Sequence, residues 1–387
     1  MAFLAASACQ HVPAPASGSS GSSGPDLTSG DLASESSTAA AVVADLGLAS
    51  GLVVRGATVV GVGRVDLLVR DGRIVELGEI TENVAEIDAR GQFVAPAFID
   101  SHVHLAYAFD EPTLAAGGIA AAVDLAAPLG FLDELHEPLA LIAAGPMITA
   151  IDGYPTQSWG AGGFGLEVDG VRAVRDAVDS LADAGAGVIK FPLGDAPSLT
   201  DDEIVALVGR AHDRGLKVVA HALGDAQARK AALLGVDVLA HTPVDPLTDE
   251  TVEAWHSGAV ISTLDAFGGS AVVVDNLRRL RAAGATVLYG TDLGNTGIPA
   301  IDPNEIALLV AAGLDGEAII AAGTATAAGL WGFEGLGTLA AGARASFLLL
   351  ERDPRIDPLV LATPLGVYID GELQPEPFTA DGGIKGG

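Results

Sequence analysis

A single cysteine, Cys9, stands in 387 residues, so no disulfide can form within the chain. Aromatic residues make up only 5%, which leaves Ala, Val, Leu and Ile to build the core. Lysine occurs four times, at Lys190, Lys217, Lys230 and Lys385. The formal charge is −30, which argues against nucleic acid, whose recognition needs a basic footprint, and disfavours anionic membrane surfaces. No uniformly apolar stretch reaches the ~18 residues of a membrane span. An acidic, lysine-poor surface is also what a salt-adapted proteome produces, so the charge by itself assigns no function.

What the chain does have is 49% hydrophobic residues, enough for a sizeable core, and 50 glycines, enough for many short turns. Its opening, "MAFLAASACQ", sets small residues before Cys9 and is followed by a Ser/Gly/Pro-rich stretch. This is the look of a bacterial lipoprotein signal, with Cys9 lipidated and the stretch serving as a tether to the cell envelope. Against it stand a short apolar segment and no preceding Lys or Arg; the alternative is a cytoplasmic protein with a plain tail. Residues 1–48 are set apart from the fold on either reading.

Ordered sequence begins near Leu52 with strand-like runs, one of them a hairpin turning at Asp71-Gly72. From Pro96 onward, eight short apolar runs alternate with Ala-rich stretches of helical period, several ending in Gly. The runs are 98–104, 119–124, 147–152, 188–192, 217–221, 236–241, 259–264 and 286–292. Eight β/α units over about 240 residues have the size and rhythm of a TIM barrel. The predicted fold is therefore α/β, a (β/α)8 barrel at 96–337. Strand- and turn-like sequence at both chain ends (49–95 and 338–375) flanks it, and 376–387 form a tail.

The polar residues fall at the ends of these runs. His102 and His104 close the first, two residues apart and so on one face of a strand. Lys190 sits within the fourth, between apolar neighbours where an ammonium is costly. His221 closes the fifth, His241 the sixth and Asp292 the eighth. The carboxyl ends of barrel strands converge on one face, where active sites lie. Four imidazoles, an amine and a carboxylate would meet there.

The pattern resembles the amidohydrolase superfamily, in its imidazolonepropionase- and prolidase-like branch. The family's opening signature, Pro-Gly-Phe-Ile-Asp-x-His-x-His, is met by Pro96 to His104 with Ala97 in the glycine position. The resemblance covers roughly residues 52–375 and implies that the β structure of both chain ends forms a small β-sandwich beside the barrel. It implies two divalent ions: His102, His104 and Asp292 would hold one, His221 and His241 the other, and a CO2-derived carbamate on Lys190 would bridge them. Zinc suits these ligands; manganese, iron or nickel also fit. Asp292 would be the catalytic base for a metal-bridged hydroxide that cleaves a C–N bond.

Deaminases of the superfamily usually carry a Glu three residues after the fifth-run histidine. Here that position is Gly224, and the first acid is Asp225. The reading is therefore a hydrolase acting on a cyclic amide, an N-acyl amino acid or a dipeptide. An esterase or lactonase on the same site, or a scaffold protein without turnover, are the alternatives. In the long loop 152–165, Tyr154, Gln157 and Trp159 are candidates for binding substrate. The expected partner is a small molecule. A membrane enters only through lipid on Cys9, and self-association is left open.

Overall fold

The computed structural model describes residues 49–107, 111–194 and 197–375. The expectation for Cys9 and the tail after residue 375 lie outside them. Among the described residues no helix is long and apolar enough to cross a membrane.

Five consecutive parallel strands form one sheet: Val188–Leu193, Lys217–Ala222, Val238–Leu239, Ala259–Ile261 and Thr286–Leu288. Three more, Phe98–Val103, Ile119–Asp124 and Ala140–Ala143, form a second parallel set. The two sets meet at both sides. Ser101 N donates to Tyr289 O (2.9 Å), Asp292 N to His102 O (2.8 Å) and His104 N to Leu293 O (2.9 Å). On the other side Gly187 N donates to Ala143 O (3.0 Å).

The third run differs from expectation. Its pairing with Ile119–Asp124 is made earlier, by Ala140–Ala143, while Met147–Ala150 pairs with Gly165–Val168 instead. Gly145, in the left-handed region at φ +67°, and Pro146 interrupt the strand between the two pieces.

The strands are short and almost wholly buried, as expected of parallel strands covered on both faces. Helices return the chain between them. In Val171–Asp183, Val174, Val178 and Leu181 are buried, an i, i+4, i+7 stripe against the sheet. Helix Asp201–Asp213 opens with a full capping box between Thr200 and Glu203.

Both chain ends build one further connected sheet of eight strands. Ala49–Val59, Gly63–Arg70, Arg73–Gly78, Val84–Asp88 and Phe93–Pro96 come from the start, and Phe347–Leu350, Gly366–Ile369 and Glu372–Leu373 from the end. The Asp71-Gly72 turn is present, with both residues at positive φ as a two-residue type I′ hairpin requires. Val54, Leu67, Ile74, Phe347 and Tyr368 share a core of their own in this sheet.

Candidate active site

His102, Lys190 and His221 lie within their strands, His102 and His221 near the carboxyl ends, while His104, His241 and Asp292 stand just beyond theirs. The sixth strand ends at Leu239 and the eighth at Leu288, so His241 and Asp292 stand on the first residues of their loops. Asp292 turns there in the left-handed region (φ +56°), a conformation aspartate tolerates better than most residues.

His102, His104 and Asp292 form a compact buried group in which three ligand atoms lie within 4.8 Å of one another. Asp292 Oδ1 is 3.4 Å from His102 Nε2 and 3.1 Å from His104 Nε2. His241 Nδ1 lies 3.9 Å from Asp292 Oδ2, and the His221 ring centre is 4.9 Å from that of His241. Lys190 is buried and lines the same cavity as the four histidines and Asp292. All six residues singled out by the sequence thus border one small cavity, with about 10 Å³ of water-accessible space.

The outer contacts settle orientations. His102 Nδ1 meets Ala240 O at 2.9 Å, which makes it the protonated nitrogen and turns the Nε2 lone pair inward. His241 Nδ1 meets Thr263 Oγ1 at 3.1 Å; Thr263 itself is at φ +40°, a strained position for a β-branched residue. Asn295 Nδ2 donates to Asp292 Oδ2 at 2.8 Å. Asp100 binds the first strand to the eighth, accepting from His102 N (3.0 Å), Thr291 N (3.1 Å) and Thr291 Oγ1 (2.6 Å).

Burial sets the charge states. It drives His102 and His241 well below the ordinary histidine range, so both imidazoles are neutral, as ligands must be. It pushes Lys190 down to about 7, with Asp292 and Asp124 opposing. Burial alone would raise the Asp292 carboxyl, but the surrounding imidazoles hold it well below the usual range.

His102 Nε2 and Asp292 Oδ1 are buried with no hydrogen-bond partner. Buried polar atoms are normally satisfied. With His104 Nδ1, three unpartnered polar atoms fall in one His-His-Asp group, and a divalent cation needs lone pairs such as those of His102 Nε2 and Asp292 Oδ1, so these residues fit a metal ion.

Of the loop candidates, Tyr154 and Trp159 border the cavity. Tyr154 stacks on His221 at 5.3 Å between ring centres, and Trp159 lies 5.5 Å from His104 and donates Nε1–H to the Tyr154 oxygen at 2.8 Å. Gln157 is not among the lining residues. It is exposed and donates to Asp152 Oδ1 at 3.1 Å, because the turns that bring Tyr154 and Trp159 inward carry position 157 outward.

Other residues of the site carry weaker sequence signals. Phe267 lies 4.8 Å from His241, and Tyr107 stacks on His104 at 5.3 Å. Asp124 ends the second strand and accepts from Leu105 N (2.7 Å) and Ala126 N (3.0 Å); burial raises it to about 6. An acid closing an apolar run is the same signal that marks Asp292. Behind the seventh strand, Glu305 Oε2 accepts from Asp265 N at 2.8 Å, and burial pushes its carboxyl up to about 7.

Residues 93–374 match the model of the amidohydrolase family. The chain belongs to that family. This amidohydrolase is 29% identical over 335 residues to an adenine deaminase of Deinococcus deserti, covering 79% of the chain and 58% of the deaminase's length. It is 29% identical over 338 residues to an imidazolonepropionase of Streptomyces griseus, covering 73% of the chain and 85% of that protein. A solved Xaa-Pro dipeptidase with methionine in its active site superposes with a TM-score of 0.73 at 20% identity, covering 84% of this chain and 99% of that one. The likeness gives the fold as a (β/α)8 barrel-type α/β architecture.

Proposed function

We propose that this amidohydrolase cleaves an amide-type C–N bond in a small molecule, with two divalent ions held by His102, His104, Lys190, His221, His241 and Asp292. The observation that carries the reading is the convergence of all six side chains on one buried cavity, with ligand atoms left unpartnered. Bound there, divalent ions would supply Lewis acidity for the scissile carbonyl and lower the pKa of water.

The chain's own residues do the rest. A Lys190 amine brought down to about 7 by burial is largely neutral at physiological pH, which attack on CO2 requires. Forming the N–C bond to CO2 and releasing one proton turns that neutral amine into an anionic carbamate, the charge a bridging ligand must carry. Asp292, kept ionised and steered by the Asn295 amide, accepts the proton of the attacking water and returns it to the leaving nitrogen. The neutral His102 imidazole is held in one tautomer by Ala240 O.

Hydrolytic deamination, the activity named for the Deinococcus relative, is less well supported. Gly224 stands where an acid would protonate the leaving ammonia, and Asp225 is turned to Thr248, accepting its N–H at 2.8 Å.

Metal analysis of fully loaded protein, beside hydrolysis of a panel of amides, lactams and esters, tests the proposal. About two ions per chain and C–N cleavage are expected. Lys190→Ala should lose both, with partial rescue by short carboxylic acids. At most one ion in loaded wild type would rule out the bridged site.

A further inference from the structure

The face that receives substrate has a feature that the metal ligands do not explain. Eight segments follow the strand ends there: 105–107 with 111–116, 125–139, 151–170, 197–200, 223–228, 240–248, 262–270 and 289–302. The chain has 20 Lys and Arg, yet none falls among these described residues, and all of the segments but 197–200 contain an Asp or Glu. Most arginines elsewhere are tied to acids, as Arg55 is to Asp66, Arg279 to Asp249 and Arg344 to Asp370. Among the described residues, Lys190 is the one Lys or Arg lining the cavity, and it is committed to the metal site.

Around the ligands the walls are aromatic. Tyr107, Tyr154, Trp159 and Phe267 each lie within 5.5 Å, ring centre to ring centre, of a site histidine. Polar groups of the wall are spoken for: the Trp159 N–H goes to Tyr154, and the Asn295 amide to Asp292. On the same loops, Leu129, Leu135 and Ile151 are exposed, Leu135 to 92%.

We propose that the substrate bears an apolar, ring-sized group beside the scissile bond and no free carboxylate. Resting on the hydrolase reading above, this narrows it away from N-acyl amino acids and dipeptides and towards neutral amides such as anilides, ureas or lactams. A carboxylate beyond the scissile bond would have aromatic faces and acids for neighbours. Leaving a charge unpaired is costly, whereas an apolar ring buries against Trp159 and Tyr154.

The test uses metal-loaded wild-type enzyme and three compounds with one scissile amide: phenylacetanilide, its 4-carboxamide and its 4-carboxylate. Both kcat/KM and calorimetric Kd are measured. The two neutral members should be favoured by about 10²-fold over the carboxylate. Raising salt from about 0.02 to 0.5 M should narrow that gap several-fold by screening the acidic face. A carboxylate handled as well as its carboxamide overturns the proposal, and so does failure of the neutral members to bind. Neutral members that bind with the stated preference but are not cleaved leave the selectivity standing and count against the hydrolase reading instead.

Discussion

Asp292→Asn separates two duties of one carboxylate. The amide keeps an oxygen for coordination and a group for Asn295 to meet, but it takes no proton near neutral pH. Turnover should fall by roughly 10²–10⁴-fold while metal content holds. Metal analysis and kcat on one preparation decide it: near-normal turnover with full metal would make Asp292 a ligand only. Glu305 gives a pH signature. Its carboxyl is raised from 4.5 to about 7 by burial, so between those values the folded chain holds a proton that the unfolded chain releases. Stability therefore falls as pH rises through that window. Glu305→Gln should lose less stability between pH 5 and 7.5 than wild type, by on the order of 3 kcal/mol. Urea midpoints at the two pH values measure this, and equal losses would refute a protonated Glu305. The His102–His104 pair stands out in the sequence because strand periodicity puts i and i+2 on one side. Glu305 and Asn295 do not, since each acts through a fold-made contact with no periodic mark in the chain.

At the scale of elements, the eighth strand approaches its neighbours more closely than a side chain allows. A Cβ on Gly290 would stand 2.4 Å from Ile261 Cγ2 and 3.2 Å from His102 N. Gly290→Ala should therefore cost about 1–3 kcal/mol through overpacking. It should also push the first strand away from the eighth, loosening the His102–Asp292 pair. Thermal unfolding together with metal stoichiometry checks both effects; unchanged metal content would show that the strands accommodate the methyl elsewhere. Most β-runs are legible because each is apolar, short and followed by a helical period. The third run is a strand at Met147–Ala150, but the partner of the second strand, Ala140–Ala143, is missed because Gly145-Pro146 reads as a turn before the first β-residue of that unit. The connectivity of the second sheet is not legible either: nothing local in Phe347–Leu350 says that its partner is Phe93–Pro96.

For the whole molecule, the proposed metal site places a buried carboxylate and neutral imidazoles together without a resident cation of the chain between them. Ions that bind only the folded state add stability that grows with the logarithm of their excess over Kd, about 2.7 kcal/mol at a hundredfold excess. Chelation should therefore lower Tm, and added zinc should restore it. A Tm indifferent to both would mean that no bound ion is linked to folding. Barrel class and acidic character are read from composition and rhythm. The lack of any Lys or Arg from the segments that follow the strand ends is not, because it emerges only when those ends are known to converge.

The sheet shared by the two ends of the chain also fixes an order of events at the ribosome. Phe93–Pro96 has its antiparallel partner in Phe347–Leu350. At about 5–20 residues per second, the roughly 250 intervening residues take tens of seconds to synthesise. The N-terminal hairpins can form early, but one edge of Phe93–Pro96 stays open while the whole barrel emerges, a template for unwanted strand pairing. A nascent chain stalled before residue 347 would carry all six proposed metal ligands and still lack the strand that covers that edge.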